Sequence, residues 1–226
     1  MHLSIVIPAL NEAGSIVATL ARLQRMRDKG SEVILVDGGS RDATKALARA
    51  LVDHVIDSRP GRAIQMNQGA AAATGEALLF LHADSLLPEG ADQLIFECLT
   101  GTAWRWGRFD VTIRGGHFMF PIIAWFMNHR SRLTGIATGD QGIFVARAAF
   151  EQVGGFPDQA LMEDIEICKR LRTIAPPACL HEKIATSGRR WEKHGVWRTI
   201  VLMWWLRLRY FLGATPDQIH RAYDEK

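Results

Sequence analysis

Short apolar runs alternate with longer amphipathic ones through the first half of the chain. Leu3 to Ile7, Val33 to Val36 and Leu78 to Leu81 are each short, mainly apolar and bounded by turn residues, the pattern of buried strands. His54-Val55-Ile56 reads as a further short strand. Between these runs, Ser15 to Asp28 places Ile16, Leu20, Leu23 and Met26 at helical spacing. Arg41 to Leu51 predicts a second helix, with Asp42 in its first turn, and Arg62 to Ala73 a small-residue helix that Gly75 stops. Strands alternating with helices predict a parallel sheet with right-handed crossovers.

The second half follows a different pattern. Trp104 to Ile113 predicts one or two strands broken at Gly107, and Gly142 to Ala146 another short strand. Phe118 to Met127 is very apolar. Met162 to Arg172 predicts a helix ended by Pro176-Pro177, and Val196 to Leu212 a long amphipathic helix rich in Trp and Leu. No repeat or low-complexity stretch interrupts the chain. The expectation is one domain over 1–226, of class α/β, whose two halves share a mixed central sheet with helices on both faces.

Composition narrows this picture without identifying a partner. A chain of 226 residues is long enough for one large domain with a real core, and 48% hydrophobic with 23% charged residues is ordinary for a folded protein. A formal net charge of +3 is too weak a bias to imply nucleic acid. Cys98, Cys168 and Cys179 form no CxxC pair, which predicts a reducing compartment and argues against a disulfide framework or a zinc site. The N-terminus runs straight into a strand, and polar Asn11-Glu12 follows too soon for a signal peptide. The expected location is cytoplasmic.

Two strand ends carry candidate chemistry. Val33 to Val36 leads into Asp37-Gly38-Gly39-Ser40, and Leu78 to Leu81 into His82-Ala83-Asp84-Ser85. Ligands of open α/β sheets bind just beyond such ends. A carboxylate there can accept a hydrogen bond from a base or ribose, or hold a hard cation against a diphosphate. Two such ends within ninety residues point to a nucleotide site. Asp37 also admits a plain turn reading, with Ser40 capping the helix that follows.

The order of the motifs carries a resemblance. Ser4-Ile5-Val6-Ile7-Pro8-Ala9-Leu10-Asn11-Glu12, Val36-Asp37-Gly38-Gly39-Ser40-Arg41-Asp42, Gly61-Arg62-Ala63-Ile64-Gln65-Met66-Asn67, Leu81-His82-Ala83-Asp84, Gly139-Asp140-Gln141 and Met162-Glu163-Asp164 follow one another. This succession resembles family-2 glycosyltransferases of the GT-A fold. With Ser187-Gly188-Arg189-Arg190-Trp191 it looks like a compact bacterial subgroup labelled arsenosugar-biosynthesis-type or radical-SAM-associated. The resemblance implies a Rossmann-like nucleotide-sugar half over about 1–100 and an acceptor half over about 101–226 with C-terminal amphipathic helices. It implies transfer of a sugar from a nucleoside-diphosphate sugar, with a weak preference for UDP, to an unknown acceptor by an inverting, metal-dependent mechanism.

Site roles follow from the same resemblance. Asp37 would accept a hydrogen bond from the donor base, while Pro8, Ala9 and Glu12 line base and ribose. Gly38 and Gly39 let the backbone approach the ligand. Arg62 and Gln65 open a helix whose N-terminus suits an anion, and Arg189 and Arg190 could close over the diphosphate. Asp84 would anchor Mg²⁺ or Mn²⁺, whose charge neutralises the departing diphosphate. The family normally places Asp-x-Asp here, so His82 is a departure. It can contact ribose, ligate the metal or pack, next to Ala83. His194, in a Trp-x-x-His spacing from Trp191, is a second metal candidate. Asp164 would be the general base, and Glu163 a favourable acid at a helix N-terminus.

Two rival readings remain open from the residues. A nucleotidyltransferase usually shows a Gly-rich basic loop after the first strand, where this chain has Pro8 to Glu12. A non-catalytic nucleotide-sugar-binding module would keep the fold and lose turnover. Phe118 to Met127 and Ile200 to Leu212 are too short or too interrupted by Arg to span a bilayer. They suit buried core, a peripheral contact at the inner face of a membrane, or a homodimer interface.

Overall fold

The computed structural model describes residues 1–101 and 103–224. Seven strands form one mixed sheet: β1 (Leu3–Ala9), β2 (Glu32–Asp37), β3 (His54–Asp57), β4 (Ala77–Phe80), β5 (Trp106–Arg114), β6 (Ile143–Ala146) and β7 (Ala178–Ser187). Their order across the sheet is β3-β2-β1-β4-β6-β5-β7. β1 to β4 pair in parallel, β6 is antiparallel to β4 and β5, and β7 is parallel to β5. The chain moves outward from β1 to β3, then returns to the other side of β1 at β4. The loops after β1 and β4 therefore part, and the crevice between them is the usual ligand site of such sheets.

The helices are α1 (Ile16–Asp28), α2 (Thr44–Ala48), α3 (Arg62–Ala72), α4 (Ala91–Leu99), α5 (Phe120–Thr134), α6 (Arg147–Gln152), α7 (Glu163–Arg172), α8 (Arg189–His194), α9 (Val196–Phe211) and α10 (Pro216–Asp224). Alternate strand residues feed two cores. Ile5, Ile7, Val33, Leu35 and Leu79 meet Leu20 and Leu23 of α1 and Ile95 of α4 on one face. Val6, Ile34, Val36, Leu78 and Phe80 meet Met66 of α3, Ile165 and Leu171 of α7 and Leu206 of α9 on the other. Because both faces are covered, these strands read as unbroken apolar runs rather than alternating ones. Each such side chain, fully buried, contributes about 1.5–3 kcal/mol. A third cluster joins Val111 and Ile113 of β5, Phe120, Ile123 and Ala124 of α5, and Val196 of α9.

Four expectations change. The helix expected over Arg41 to Leu51 shrinks to α2, since the polar residues before Thr44 bond to the loop after β1 instead. Gly107 does not break β5. It lies inside the strand, and a Cβ there would meet the Ala178 carbonyl and the Phe144 ring, so glycine permits the close approach of β7. The apolar run from Phe118 becomes α5, extended to Thr134 and stopped at Gly135, whose φ of 65° is left-handed. The helices α4 and α6 and the strand β7 lie outside the expected set.

Candidate active site

The loops after β1 and β2 are tied together by side chains that bond backbone. Asn11 N–H donates to Ser40 Oγ (2.8 Å), Glu12 N–H to Thr44 Oγ1 (2.8 Å) and Ala13 N–H to Asp42 Oδ2 (3.0 Å). Arg41 N–H returns a bond to Asn11 Oδ1 at 2.9 Å. Ser40 thus secures the loop rather than capping α2, which has no side-chain cap. Asp37, only 1% exposed, ends β2 beneath this frame. Its Oδ2 accepts from the N–H groups of Gly39 (3.0 Å) and Ser40 (2.8 Å). Its Oδ1 is buried without a hydrogen-bond partner. A buried acceptor left open costs about 1–3 kcal/mol unless a ligand supplies the donor.

Gln65 is placed differently from the expectation of a ligand contact. It is 3% exposed, and its amide nitrogen donates to the carbonyls of Ala9 (2.9 Å) and Val36 (2.7 Å). It braces the ends of β1 and β2 and packs under Gly38, where a Cβ would lie 3.1 Å from that amide. The tight glycine at this point serves Gln65, while Gly39 faces open space. Pro8 and Ala9 are buried at the end of β1 beside Asp37.

Beyond β4 a second group assembles. His82 Nδ1 lies 3.2 Å from Asp140 Oδ1, and Thr186 Oγ1 lies 3.4 Å from the same oxygen. The His82 ring packs against Gly139, where a Cβ would overlap it. Burial opposes a charge on His82, but the Asp140 hydrogen bond and the charges of Asp140 and Asp84 outweigh it, and the imidazole titrates above its ordinary value. The same bond, with the charges of His82 and Arg62, holds Asp140 below the usual carboxylate range despite burial. Asp84 is pushed up, first by burial and then by the negative charges of Asp140 and Glu12, with His82 and Arg189 opposing. Its backbone carbonyl accepts from Arg114 at 2.9 Å, while its carboxylate takes no hydrogen bond among the described residues. Arg189 reaches across to Glu12 at 2.9 Å, closing the group on that side.

The start of α7 completes the site. Met162, at φ 67°, turns the chain into the helix through a conformation costly for a non-glycine residue. Asp164 accepts from Gly139 N–H (3.2 Å) and Ile165 N–H (2.8 Å). Glu163 is 4% exposed, with Arg62 at 3.9 Å. Burial and the Asp164 charge push its carboxyl up, and Arg62 opposes them. Glu163 does open α7, as expected of a helix-terminal acid, but it is buried there. His82, Gly139, Glu163 and Asp164 line one small common void.

The structure thus brings together Glu12, Arg62, His82, Ala83, Asp84, Glu163, Asp164 and Arg189, with Asp140 added. It does not bring His194 to Asp84. His194 is exposed on α8 and lines a groove of about 680 Å³ with Arg190, Trp197, Arg198 and Trp205. Among the described residues no three His, Cys, Asp or Glu side chains form a metal cluster. Arg130 and Arg207, absent from the expected site, act electrostatically on this region, since both feel Asp164 and Asp140. No local motif marks them, because only packing of α5 and α9 brings them in.

Residues 4–145 match the family model described as glycosyl transferase family 2, more than half the chain, and the chain belongs to that family. A PGL/p-HBAD biosynthesis glycosyltransferase of Mycobacterium tuberculosis is 40% identical over 98 residues, covering 40% of this chain and 38% of that relative. The aligned part is thus well under half of the curated relatives it matches. A mannosyltransferase from Pyrobaculum calidifontis, solved with GDP-Man and Mn²⁺, superposes with a TM-score of 0.67 at 22% identity, over 98% of this chain and 68% of the other. TarS of S. aureus, in complex with UDP, gives 0.67 at 17% identity, over 83% of this chain and 60% of the other. Glucosyl-3-phosphoglycerate synthase from M. tuberculosis gives 0.59 at 19% identity, over 82% and 70%. These likenesses establish the GT-A fold.

Proposed function

We propose that the protein is a glycosyltransferase that moves a sugar from a nucleoside-diphosphate donor to an acceptor hydroxyl with inversion. The observation that carries the donor site is Asp37. Its buried Oδ1 lacks a partner at the end of β2 while Oδ2 is held by two backbone N–H groups. An N–H of a nucleobase is the donor that geometry suits, and the weak preference for uridine stays part of the reading. Glu12 and Arg189 flank the same crevice, and Arg62 adds positive charge at the start of α3. Residues 1–226 are taken as one domain, and the compact bacterial subgroup label as a sequence resemblance without a substrate.

A divalent cation, Mg²⁺ or Mn²⁺, fits the donor set. Asp84 offers a carboxylate without a hydrogen bond, and the neighbouring Asp140 and Glu12 charges raise the need for a cation there. Asp84 would hold the ion, with Asp140 and His82 beside it. When bound, it would supply positive charge for the diphosphate oxygens. Arg189 and Arg62 supply fixed positive charge on the same side. Asp164 is oriented by Gly139 and Ile165 N–H bonds, and it would take the proton of the attacking hydroxyl. The hydroxyl oxygen bonds to the anomeric carbon as the bond to the diphosphate breaks, so one displacement inverts that centre. The exposed apolar faces of α5 and α9 would rest on the inner face of a membrane.

Two variants separate binding from chemistry. In Asp37→Asn the Gly39 and Ser40 N–H groups keep an oxygen, which leaves the amide nitrogen at the Oδ1 position. Nucleoside-diphosphate affinity should fall by ~10-fold or more, the worth of a charged hydrogen bond. Asp164→Asn should keep that affinity and lose about 10²–10⁴ in kcat. Calorimetry with UDP and GDP, beside nucleotide release from UDP-glucose, UDP-N-acetylglucosamine and GDP-mannose, reads both. Unchanged affinity in folded Asp37→Asn, or full turnover in Asp164→Asn, overturns the corresponding assignment.

A further inference from the structure

Two half-buried arginines near Asp164 make no side-chain hydrogen bond among the described residues. Arg130 projects from α5 with Nε and Nη2 both shielded from solvent, and neither atom is bonded among the described residues. Arg207 projects from α9, half-buried, and likewise makes no hydrogen bond among the described residues. The two guanidiniums stand close enough that the charge of Arg207, after burial itself, helps push Arg130 down to about 10. Like charges held together where water is partly excluded are unfavourable unless something negative sits between them.

The nearby acids do not fill that role by hydrogen bonding. Asp164 and Asp140 attract both arginines electrostatically. Yet Asp164 spends its oxygens on Gly139 and Ile165 N–H, and Asp140 bonds His82 and Thr186. The guanidinium donors remain open beside the side chain assigned as the base. A fork of planar donors suits a tetrahedral oxyanion, and two positive charges match a phosphate monoester, which carries about −1.5 to −2, better than a carboxylate.

We infer that Arg130 and Arg207 form an anion subsite for the acceptor, and that the acceptor carries a phosphate group held there next to Asp164. This rests on the reading of Asp164 as the acceptor-side base, but the binding itself does not require turnover. The phosphate can belong to a soluble molecule or to a lipid headgroup. Both helices also carry the exposed apolar faces, through Trp125 and Phe126 on α5 and Trp204 and Leu208 on α9.

The test measures binding with the donor site filled. The full chain is saturated with UDP or GDP and Mn²⁺, then titrated with glycerol 3-phosphate, with glycerate as the carboxylate control. In parallel it is mixed with phosphatidylcholine vesicles with and without lysophosphatidic acid, a phosphate monoester whose glycerol keeps a hydroxyl, and with phosphatidylglycerol vesicles of equal charge as the control. Glycerol 3-phosphate or the lysophosphatidic acid vesicles should bind, with affinity ~10-fold lower in Arg130→Gln and in Arg207→Gln. Nucleotide affinity should stay within about twofold of wild type, as expected of residues outside the donor site. Saturable binding of the soluble probe identifies a free phosphorylated acceptor, and, without it, binding to the lysophosphatidic acid vesicles above the phosphatidylglycerol control identifies a lipid one. Arg207→Gln, on a different helix, keeps the test valid if Arg130→Gln does not fold. Glycerate binding as tightly as glycerol 3-phosphate, phosphate binding that ignores both substitutions, or no binding of either phosphate probe overturns the inference. Failure of UDP and GDP to bind, with arginine-dependent phosphate binding intact, would instead sink the donor reading and leave the subsite standing.

Discussion

At the scale of single residues, the site is a set of carboxylates kept apart by what each one bonds. Asp37 holds a loop with one oxygen and leaves the other open, Asp140 is fixed by His82 and Thr186, and Asp164 by two backbone N–H groups. Glu163 has less of this support, its own backbone N–H and Arg62 at 3.9 Å, and burial raises its titration point. A raised carboxyl favours the folded state fully below its ordinary value, and that contribution is lost as pH rises through the folded value. Glu163→Gln removes the penalty of the buried charge. The variant should melt with wild type below about pH 4 and above it at pH 7, the gap opening as pH rises. Paired melting curves from pH 4 to 8 check this, and a variant less stable than wild type at pH 7 contradicts it. The placement of Asp37 and Asp84 at or beyond strand ends and of Asp164 at a helix start was legible in the sequence, because each stands at the edge of an apolar or periodic run. Arg130 and Arg207 were not, because a lone arginine in an amphipathic helix has no signature until its neighbours are known. Gln65, expected at an anion site because it opens a helix beside Arg62, turns inward to two strand carbonyls, which its place in the sequence does not reveal.

At the scale of elements, the second half of the chain depends on how β5 is clamped to α5 and β7. Arg108, 1% exposed, pairs with Asp110, whose other oxygen receives Arg132 of α5 at 2.8 Å. Arg132 also donates to the Cys179 carbonyl of β7 at 3.0 Å, and Asn128 bonds both the N–H (2.8 Å) and C=O (3.0 Å) of Val111. This network sits where the β5–β7 register shifts between Phe109 and Asp110. Removing the acid strands a buried guanidinium, so Asp110→Ala should cost about 3–5 kcal/mol. Urea denaturation giving less than about 1 kcal/mol, the worth of an exposed pair, would show the clamp to be dispensable. The alternation of β1 to β4 with α1 to α3 was legible because their runs are apolar, regular and punctuated by Gly and Asp. Strand β7 was not, since His181-Glu182-Lys183 in its middle is exposed and gives it no strand-like alternation. Helix α4 does carry apolar residues at helical spacing, Ala91, Ile95, Cys98 and Leu99, but no strong cap announces it.

At the scale of the whole molecule, α5 and α9 carry apolar residues that no described part of the chain buries. On α9, Trp197 (65% exposed), Val201 (66%), Trp204 (69%), Leu208 (57%) and Phe211 (62%) recur at three- and four-residue spacing and form one stripe. Trp125, Phe126 and Leu133 of α5 are also exposed, and α5 shares a cluster with Val196 and Ile200 at the start of α9. No helix among the described residues is long and apolar enough to cross a membrane. A stripe of Trp and Leu flanked by Arg198 and Arg209 is the composition of a helix lying in a lipid interface. Its attraction to anionic lipid adds about 1 kcal/mol per basic residue near the surface. The protein should therefore sediment with phosphatidylglycerol-containing vesicles more strongly than with phosphatidylcholine alone, and high salt should weaken the difference. Trp204→Glu with Leu208→Glu should cut vesicle binding by ~10-fold or more, since two exposed apolar anchors become charged. Both side chains are already in water, so melting should move by no more than is usual for a surface change, about 0.5 kcal/mol. A second copy of the chain is the competing occupant. If wild type is a dimer by light scattering, the same substitutions make it a monomer, and vesicles of either composition leave it in solution, then the face is an interface between copies and the membrane contact is wrong.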